Sequence, residues 1–274
     1  MSQFDFTNQL HDFRENGFAI FPRLHSSEFY ENWRILADQL TSGKGKSVSG
    51  NLIEIAPHLA ILAIANPTLL DFAEKVMGPF VQLDGLTLVT WPPLSTSEES
   101  GDNLHWHRDP WSQVPRSNEY DRPLAINALT YLQDLNDCIG PLRLIPKSHR
   151  TPLTIPTNLR DHPHPDEALI NLKRGDVIVM HNNLVHSRSP NRSAFARSYI
   201  SVYYNLSWLK PSSSYDGPEA RKILRIAEQY NDRRLMRLFG IDSELEARTN
   251  SGFLSNNEEC WDDWIREDRA ALNV

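Results

Sequence analysis

The hydrophobic pattern of this chain changes at Phe80, and the change limits the folds open to it. Before Phe80, apolar residues recur at helical spacing, whereas after it apolar or β-branched segments alternate with loops rich in Pro, Ser and Asp. The predicted strands are Phe80–Trp91, Leu124–Leu132, Leu142–Ile145, Val177–Met180 and Ala196–Leu206. Helices first and strands afterwards, without βαβ alternation, indicate an α+β, mainly β fold with an antiparallel sheet, which a two-sheet jelly roll satisfies.

Helices are predicted on both sides of this β-rich region. The predicted N-terminal elements are a helix over Phe4–Glu15, a strand over Phe18–Phe21, a helix capped by Ser26 or Ser27, and a helix over Thr68–Met77. The predicted C-terminal helices are Pro218–Phe239, Glu244–Arg248 and the Trp-rich segment 258–268. We expect one domain over 1–274, with helical elements in 1–79 and 207–274 around a β-core of about 80–206.

Composition places the chain among cytoplasmic globular proteins. Apolar residues make up 40% of its 274 residues, and the formal net charge is −7, which disfavours nucleic acid as a partner. The dense basic cluster RRLMR (233–237) has apolar residues at helical spacing, so it is interpreted as one face of a packed helix. Cys138 and Cys260 form no metal or disulfide motif, and no apolar run is long enough for a signal peptide or membrane helix.

Two short motifs carry the residues of a metal site. HWHRD (105–109) contains His107 and Asp109, whose side chains would project to the same side of a β-strand because side chains alternate along it. His186, in NLVHS (183–187), follows a buried strand and can supply a third ligand. Two imidazoles and one carboxylate hold one face of non-haem Fe(II) and leave the other open to a chelating cosubstrate and O2. A catalytic zinc site draws on similar residues.

Arg197 distinguishes between these two metals. It lies on what is predicted to be the next strand of the same sheet after His186. A buried guanidinium beside the metal is suited to bind a dicarboxylate through two hydrogen bonds, and metal-catalysed hydrolysis has no need of one there. Arg192 is nearer to His186 in sequence, but it follows Pro190-Asn191 in a turn, so we expect it to be exposed.

Together these motifs resemble a known family. HRD (107–109), GPLRLIPKSH (140–149), GDVIVMHNNLVHSRSPN (175–191) and Arg197 are similar to the core motifs of the phytanoyl-CoA dioxygenase-like Fe(II)/2-oxoglutarate oxygenases, in order, over most of the chain. The resemblance implies a double-stranded β-helix (jelly roll, cupin-like) core with flanking helices. It also implies Fe(II) on His107, Asp109 and His186, with Arg197 binding the distal carboxylate of 2-oxoglutarate.

The chain departs from the family pattern at three positions. Lys147 stands where the family usually has Gly, Arg188 where a small residue is common, and Leu129 where an aromatic residue often faces the cosubstrate. These differences concern the secondary contacts to the cosubstrate. Arg188 can instead reach an anionic group on the substrate.

Other polar and aromatic residues are candidates for the pocket. Those predicted for the cosubstrate side are Gln82, Asn127 and Tyr131, and those predicted for the substrate pocket are Trp111, Arg188 and His105. The predicted rim loops are 41–51, 92–104, 111–122 and 152–166. A second HxD, His164-Pro165-Asp166, lies in a loop that proline breaks, and His181 is interpreted as a packed residue close to the distal ligand.

The predicted function is hydroxylation of an unactivated C–H bond of a small-molecule metabolite, using Fe(II), 2-oxoglutarate and O2 and releasing succinate and CO2. Desaturation, epoxidation or cyclisation are alternative outcomes of the same chemistry. Different classes also stay open: a cupin-like metal-dependent hydrolase or isomerase that does not use 2-oxoglutarate, and a binding module with a vestigial triad. Arg116 and Arg188 favour a substrate that carries a carboxylate, while the oligomeric state is open.

Overall fold

A computed structural model describes residues 4–41, 47–94, 104–250 and 257–272 of the chain. Contacts divide the chain into two compact units, each built from two segments of sequence. The first unit is Met1–Gly50 with Thr87–Ser201, and the second is Asn51–Leu86 with Val202–Val274. The single domain expected over 1–274 stays a prediction.

The N-terminal elements agree with the predicted ones. They are helix α1 (Thr7–Asn16), strand β1 (Phe18–Phe21) and helix α2 (Ser27–Thr41). The Ser26 hydroxyl accepts a hydrogen bond from the Phe29 backbone N–H at 3.2 Å, which is the expected N-terminal cap of α2. Gly17 ends α1 with a φ of 87°, and its carbonyl accepts from the His181 N–H at 2.9 Å. The turn between α1 and β1 is therefore tied to the segment that leads to His186.

The strands predicted after Phe80 are present, together with three short ones that were not predicted. The observed strands are β2 (Ser47–Ser49), β3 (Val81–Trp91), β4 (Ala125–Tyr131), β5 (Leu142–Leu144), β6 (Ala168–Ile170), β7 (Val177–His181), β8 (His186–Arg188) and β9 (Arg197–Leu206). They form a six-stranded sheet in the order β1-β7-β4-β9-β3-β2 and a three-stranded sheet in the order β6-β5-β8. Strands β2, β6 and β8 have only three residues each, too few to show a period of two.

A hydrophobic core joins the two sheets in the first unit. Leu129 and Ile178 from the larger sheet pack in one cluster with Leu142 and Leu144 from the smaller one. Strand β7 is buried along its whole length, because α1 packs against it as well, so its sequence VIVMH is a continuous apolar run. Two antiparallel sheets around one core give the predicted jelly-roll architecture.

The second unit contains the remaining helices. These are α3 (Leu52–Ile55), α4 (Pro57–Ile64), α5 (Pro67–Met77), α6 (Pro218–Gln229), α7 (Arg233–Leu238), α8 (Leu245–Asn250) and α9 (Asn257–Ala270). The single helix predicted over Pro218–Phe239 is wrong, because the chain breaks it into α6 and α7. Asn231 takes a left-handed φ of 52°, and the Asp232 carboxylate accepts from the Leu235 N–H at 2.9 Å to begin a new helix.

The basic cluster 233–237 is the packed helix face that its spacing predicts. The Arg234 guanidinium donates to the Glu74 carboxylate at 2.8 Å, and Arg237 donates to Asp268 at 2.7 Å. Arg237 is 2% exposed, so its charge is used inside the second unit and is not offered to a phosphate. Among the described helices, none combines the length and apolar character needed to cross a membrane.

The backbone conformation of Lys147 explains why the family that this sequence resembles usually has glycine at this position. Its φ is 67°, in the left-handed region, and its backbone N–H donates to the Asn16 carbonyl at 3.1 Å. We expect Lys147→Gly to raise the free energy of unfolding by about 0.5–1 kcal/mol, since glycine adopts this conformation without the Cβ clash. Urea unfolding measures the change. Lys173→Gly, at an exposed position without a positive φ, is the control and should lower stability. Lower stability of Lys147→Gly would contradict the explanation.

Candidate functional site

The three predicted metal ligands lie together in the first unit. One ligand atom from each of His107, Asp109 and His186 lies within 4.8 Å of the others. His107 and His186 exchange two backbone N–H···O hydrogen bonds of 3.0 Å, and the Asp109 N–H donates to the Asn182 carbonyl at 3.1 Å. The backbone therefore brings the HRD motif against the segment that carries the distal histidine.

The regular strand expected at His107–Asp109 is absent from the structure. His107 forms an isolated β-bridge with His186, and the residues beside it are not in a strand. The left-handed φ of 61° at His105 interrupts the extended chain before the motif, and Pro110 after Asp109 has no backbone N–H with which to pair. The two side chains still converge, because the single bridge and the Asp109–Asn182 hydrogen bond fix them in place of a ladder.

Both histidines are oriented so that the same ring nitrogen is available. The His107 Nδ1–H donates to the His105 carbonyl at 3.0 Å, and the His186 Nδ1–H donates to the Leu184 carbonyl at 3.0 Å. Because a carbonyl oxygen can only accept, each Nδ1 carries a proton, so Nε2 is the ring nitrogen left to bind a metal. The His186 Nε2 lies 3.7 Å from the Asp109 Oδ1. Two imidazole nitrogens and one carboxylate oxygen are a donor set that fits Fe(II).

Burial keeps the first of these imidazoles neutral. Removal from water lowers the pKa of His107 to about 4, and the neighbouring His186 acts in the same direction. Near neutral pH the ring is therefore uncharged, which is the form that binds a metal.

A hydrogen-bond relay orients the carboxylate of the triad. The Ser201 hydroxyl donates to the Asn127 Oδ1 at 2.7 Å, which fixes the amide so that its Nδ2 donates to the Asp109 Oδ2 at 2.9 Å. One carboxylate oxygen is thus occupied by the amide, and the other faces His186. Asn127 was predicted as a cosubstrate contact, whereas the structure gives it a bond to the metal-binding carboxylate.

We expect Asn127→Leu to weaken the affinity for Ni(II) or Co(II) by about 10–100-fold, because the Asp109 carboxylate loses the group that orients it. Calorimetric titration of the folded protein measures the affinity. Ser201→Ala should show a smaller loss, since only the orientation of the amide is released, and Ser201→Thr should restore the wild-type value. Wild-type affinity in Asn127→Leu would show that the relay does not support the carboxylate.

Arg197 lies on β9 with its guanidinium in the interior. It is 3% exposed, and its Nη1 donates to the Gly140 and Ser189 carbonyls, each at 2.9 Å. Its Nε has no hydrogen-bond partner, and no carboxylate pairs with the guanidinium among the described residues. A buried cation held by carbonyls on one side only is a fitting partner for the carboxylate of a ligand.

Gly140 permits this placement of Arg197. Its φ is +91°, and a Cβ at this position would lie 2.6 Å from the Arg197 Nη1 and 2.6 Å from the Pro190 carbonyl. Both the backbone conformation and the close approach exclude any larger residue. The first residue of the GPLRL motif is therefore required by the packing of the guanidinium.

A pocket of about 240 Å³ contains both the triad and Arg197. Of the other predicted residues, it is lined by Asn127, Tyr131, His105 and Arg188. Sequence reasoning missed further lining residues, among them Trp91, Tyr199 and Ser201. Tyr199 and Ser201 share strand parity with Arg197, so the period of two in β9 was a signal that could have identified them.

Two predicted pocket residues lie elsewhere. The Gln82 amide donates to the Asn205 Oδ1 at 3.0 Å and to the Leu209 carbonyl at 3.1 Å, and Gln82 does not line the pocket. The reason is strand parity: Thr87 and Val89 of β3 line the pocket at odd-numbered positions, so an even-numbered residue faces the other side. Trp111 lines a different cavity.

Arg188 and His105 are at the pocket with distinct surroundings. The Arg188 guanidinium carbon lies 3.8 Å from the centroid of a Trp91 ring, a cation–π contact. The His105 side chain is exposed, and the His105 backbone carbonyl accepts the hydrogen bond from the His107 Nδ1–H. The backbone of His105 therefore helps to orient a ligand of the triad. The rim-loop residues 42–46 and 95–103 lie outside the described residues.

The competing histidines and arginine have other roles. The His181 Nε2–H donates to the Asp121 carbonyl at 3.1 Å and its Nδ1 accepts from the Asn183 N–H at 3.0 Å, which leaves no ring nitrogen for a metal. The His164 Nδ1 accepts from the Asp166 N–H at 3.2 Å in an exposed loop. Arg192 is exposed, as its position in a turn predicts.

Solved structures share this fold. HygX from Streptomyces hygroscopicus, crystallised with nickel and 2-oxoglutarate, is 17% identical, with a TM-score of 0.62 over 78% of this chain and 93% of that chain. SnoN, a non-heme alpha-ketoglutarate-dependent epimerase from nogalamycin biosynthesis, is 17% identical, with a TM-score of 0.56 over 73% of this chain and 82% of that chain. The predicted jelly-roll core with flanking helices is thereby confirmed as the fold of this chain.

The amino-acid sequence identifies the family of this chain. It matches the family model of phytanoyl-CoA dioxygenase over residues 13–199, which is more than half of the chain and includes all of the motifs above. Comparison with curated proteins gave no significant match. The chain is therefore an Fe(II)- and 2-oxoglutarate-dependent dioxygenase. It belongs to the phytanoyl-CoA dioxygenase family.

Proposed function

We propose that this protein hydroxylates an unactivated C–H bond of a small-molecule metabolite, with Fe(II) on His107, Asp109 and His186 and 2-oxoglutarate on Arg197. The observation that carries the proposal is a single pocket that holds three convergent ligand atoms together with a buried guanidinium whose Nε has no partner. Fe(II) and 2-oxoglutarate, when bound, supply the oxidation, in which O2 is consumed and 2-oxoglutarate is converted to succinate and CO2.

The residues of the chain hold and orient these groups. The carbonyls of His105 and Leu184 fix the imidazole rings, and Asn127 leaves the Asp109 Oδ1 as the free carboxylate oxygen. Arg197 binds the far carboxylate of the cosubstrate, so its keto-acid end is directed to the metal-facing side of the pocket. The protein contributes orientation, which it achieves with groups that are already in position.

The pocket wall beside Arg197 is formed by aromatic and apolar side chains. Tyr131 and Tyr199 lie with ring centroids 5.2 Å apart beside Arg197, and burial raises the pKa of Tyr131 above its ordinary value. Their phenols therefore stay neutral and can donate a hydrogen bond to a carboxylate near Arg197. Leu129 and Leu142 complete the apolar part of this wall, which strengthens the charge pairing inside it.

We propose a substrate that carries a carboxylate. Arg188 is a second arginine among the described residues that line the pocket, and its contact with Trp91 holds the guanidinium in a defined orientation. HygX has been crystallised with hygromycin B and SnoN with nogalamycin RO, so proteins of this fold bind a small molecule in addition to 2-oxoglutarate. In this chain the arginine favours an acidic metabolite over a neutral one.

The outcome at the substrate has an alternative. SnoN is described as an epimerase, so a fold of this kind also serves a reaction that differs from hydroxylation. Mass spectrometry of the product distinguishes hydroxylation or epoxidation, which add one oxygen atom, from desaturation or cyclisation, which remove two hydrogens, and from epimerisation, which leaves the mass unchanged.

The proposal is tested by supplying the purified protein with Fe(II), 2-oxoglutarate and a panel of carboxylate-bearing metabolites, each beside its amide or ester. We expect succinate release that requires Fe(II), is stimulated by one group of acids, and falls when the acid is masked. Metal binding without consumption of 2-oxoglutarate would instead favour a hydrolase or isomerase. Failure of the protein to bind metal would favour a binding module.

A further inference from the structure

A second cavity in the first unit contains polar groups that the metal site does not use. It has a volume of about 410 Å³ and is lined by residues of the segment that follows the HRD motif and by the turn that precedes His186. Trp111, Pro115 and Leu124 give it apolar walls, and Arg116 and Asn182 give it polar ones. None of the triad residues lines this cavity.

Asn182 is the first sign that this cavity takes a ligand. The residue is 1% exposed, and neither its Oδ1 nor its Nδ2 has a hydrogen-bond partner among the residues that the structure describes. A buried amide left unpaired costs free energy on both atoms, so native proteins almost always satisfy it. Its backbone is fully used, because its N–H donates to Ala125 and its carbonyl accepts from Asp109. The backbone is therefore held in place, and the side chain keeps both N–H groups of Nδ2 and its Oδ1 unpaired.

Trp111 is the second sign. Its φ is 62°, a left-handed conformation that is unfavourable for a bulky residue and persists only where the surroundings enforce it. The strained backbone places the tryptophan among the residues that line the cavity, not in the metal pocket where it was predicted. The indole and Pro115 both line the cavity, and together they offer it an apolar surface suited to an aromatic ring.

The charges at the cavity favour an anion. Arg116 and Arg122 line it against one acidic residue, Asp121. Arg116 is exposed and forms no ion pair with any described residue. A guanidinium of this kind binds a carboxylate through two parallel hydrogen bonds.

We propose that this cavity is a second binding site, distinct from the metal pocket, for a small aromatic carboxylate that also bears a hydroxyl or amino group. Arg116 binds the carboxylate and Trp111 contacts the ring. The hydroxyl or amino group exchanges hydrogen bonds with Asn182, since the amide requires an acceptor for its Nδ2 and a donor for its Oδ1.

The probes are 4-hydroxybenzoate, benzoate, which lacks the hydroxyl, and phenol, which lacks the carboxylate. Calorimetric titration is performed on the full-length protein loaded with Ni(II) and 2-oxoglutarate, so that the metal pocket is occupied. We expect 4-hydroxybenzoate to bind about tenfold more tightly than either of the other two compounds, since each of them lacks one polar contact. In Asn182→Leu the advantage over benzoate should disappear, while the advantage over phenol remains.

Arg116→Gln changes an exposed side chain and is not expected to affect folding. It should weaken 4-hydroxybenzoate about tenfold, whereas the control Arg221→Gln, at an exposed arginine of α6, should leave binding unchanged. The proposal is overturned if 4-hydroxybenzoate does not bind at millimolar concentration, or if its binding depends on whether 2-oxoglutarate is present. Equal affinity in Arg116→Gln and Arg221→Gln would overturn it as well.

Discussion

Asp109→Ala is expected to abolish Fe(II)-dependent conversion of 2-oxoglutarate to succinate. The carboxylate is the one charged ligand of the triad, and its Oδ1 lies 3.7 Å from the His186 Nε2, so its loss leaves two neutral imidazoles that hold the ion weakly. The decrease in Ni(II) affinity should exceed the ~10–100-fold effect typical of residues that only support a ligand. Succinate formation and calorimetric metal binding measure the two effects separately.

Asp166→Ala is the matched control for this prediction. Asp166 belongs to the other HxD of the chain, but it is exposed, and its backbone N–H bonds to His164. Wild-type metal binding and turnover are expected in this variant. Turnover that survives in Asp109→Ala, or is lost in Asp166→Ala, would show that the metal site has been assigned to the wrong motif.

Arg197→Gln is expected to raise the KM for 2-oxoglutarate with a much smaller effect on kcat. Removing one partner of a buried charge pair costs about 2–5 kcal/mol, which corresponds to roughly 30- to 4,000-fold in affinity. Arg197→Lys keeps the charge but not the planar donor pair, so we expect an intermediate KM. Steady-state rates of succinate release over a range of 2-oxoglutarate concentrations measure both constants.

The control for Arg197 is Arg192→Gln. Arg192 is closer to His186 in sequence but exposed, and the KM for 2-oxoglutarate should not change in this variant. Because the Arg197 Nη1 also bonds to the Gly140 and Ser189 carbonyls, urea unfolding of each variant checks that the fold is retained. An unchanged KM in a folded Arg197→Gln protein would exclude this arginine as the cosubstrate anchor.

Strand parity explains which pocket residues were predictable. Asn127 and Tyr131 lie at positions of the same parity on the buried strand β4, so they share one face of it, and both line the pocket as predicted. Parity does not indicate which face of a strand meets the pocket when both faces are buried, as in β3 and β4. The two predicted polar residues of β4 lie on the pocket face, whereas Gln82 of β3 lies on the other face and bonds to Asn205. Strand parity in β9, starting from Arg197, also predicts Tyr199 and Ser201 as pocket residues, and both line the pocket.

The interpretation of Asn127 needed contacts that no sequence pattern contains. Its residue type and parity indicate a polar group in the pocket, but its partner is decided by the 2.9 Å approach of the Asp109 carboxylate from a different segment. The same holds for Trp111, since a left-handed φ of 62° two residues after Asp109 directs the chain toward the second cavity.

The sequence by itself determined the fold class, the order of most elements, and the identity of the residues that converge at the metal site. It could do so because hydrophobic periodicity is a local property and because few residue types bind Fe(II). Only the tertiary structure decided the tautomers of His107 and His186, the relay through Asn127, the requirement for glycine at position 140, and the assignment of Trp111 to another cavity. These depend on approaches of a few ångströms between segments far apart in the chain, and such distances are set by packing.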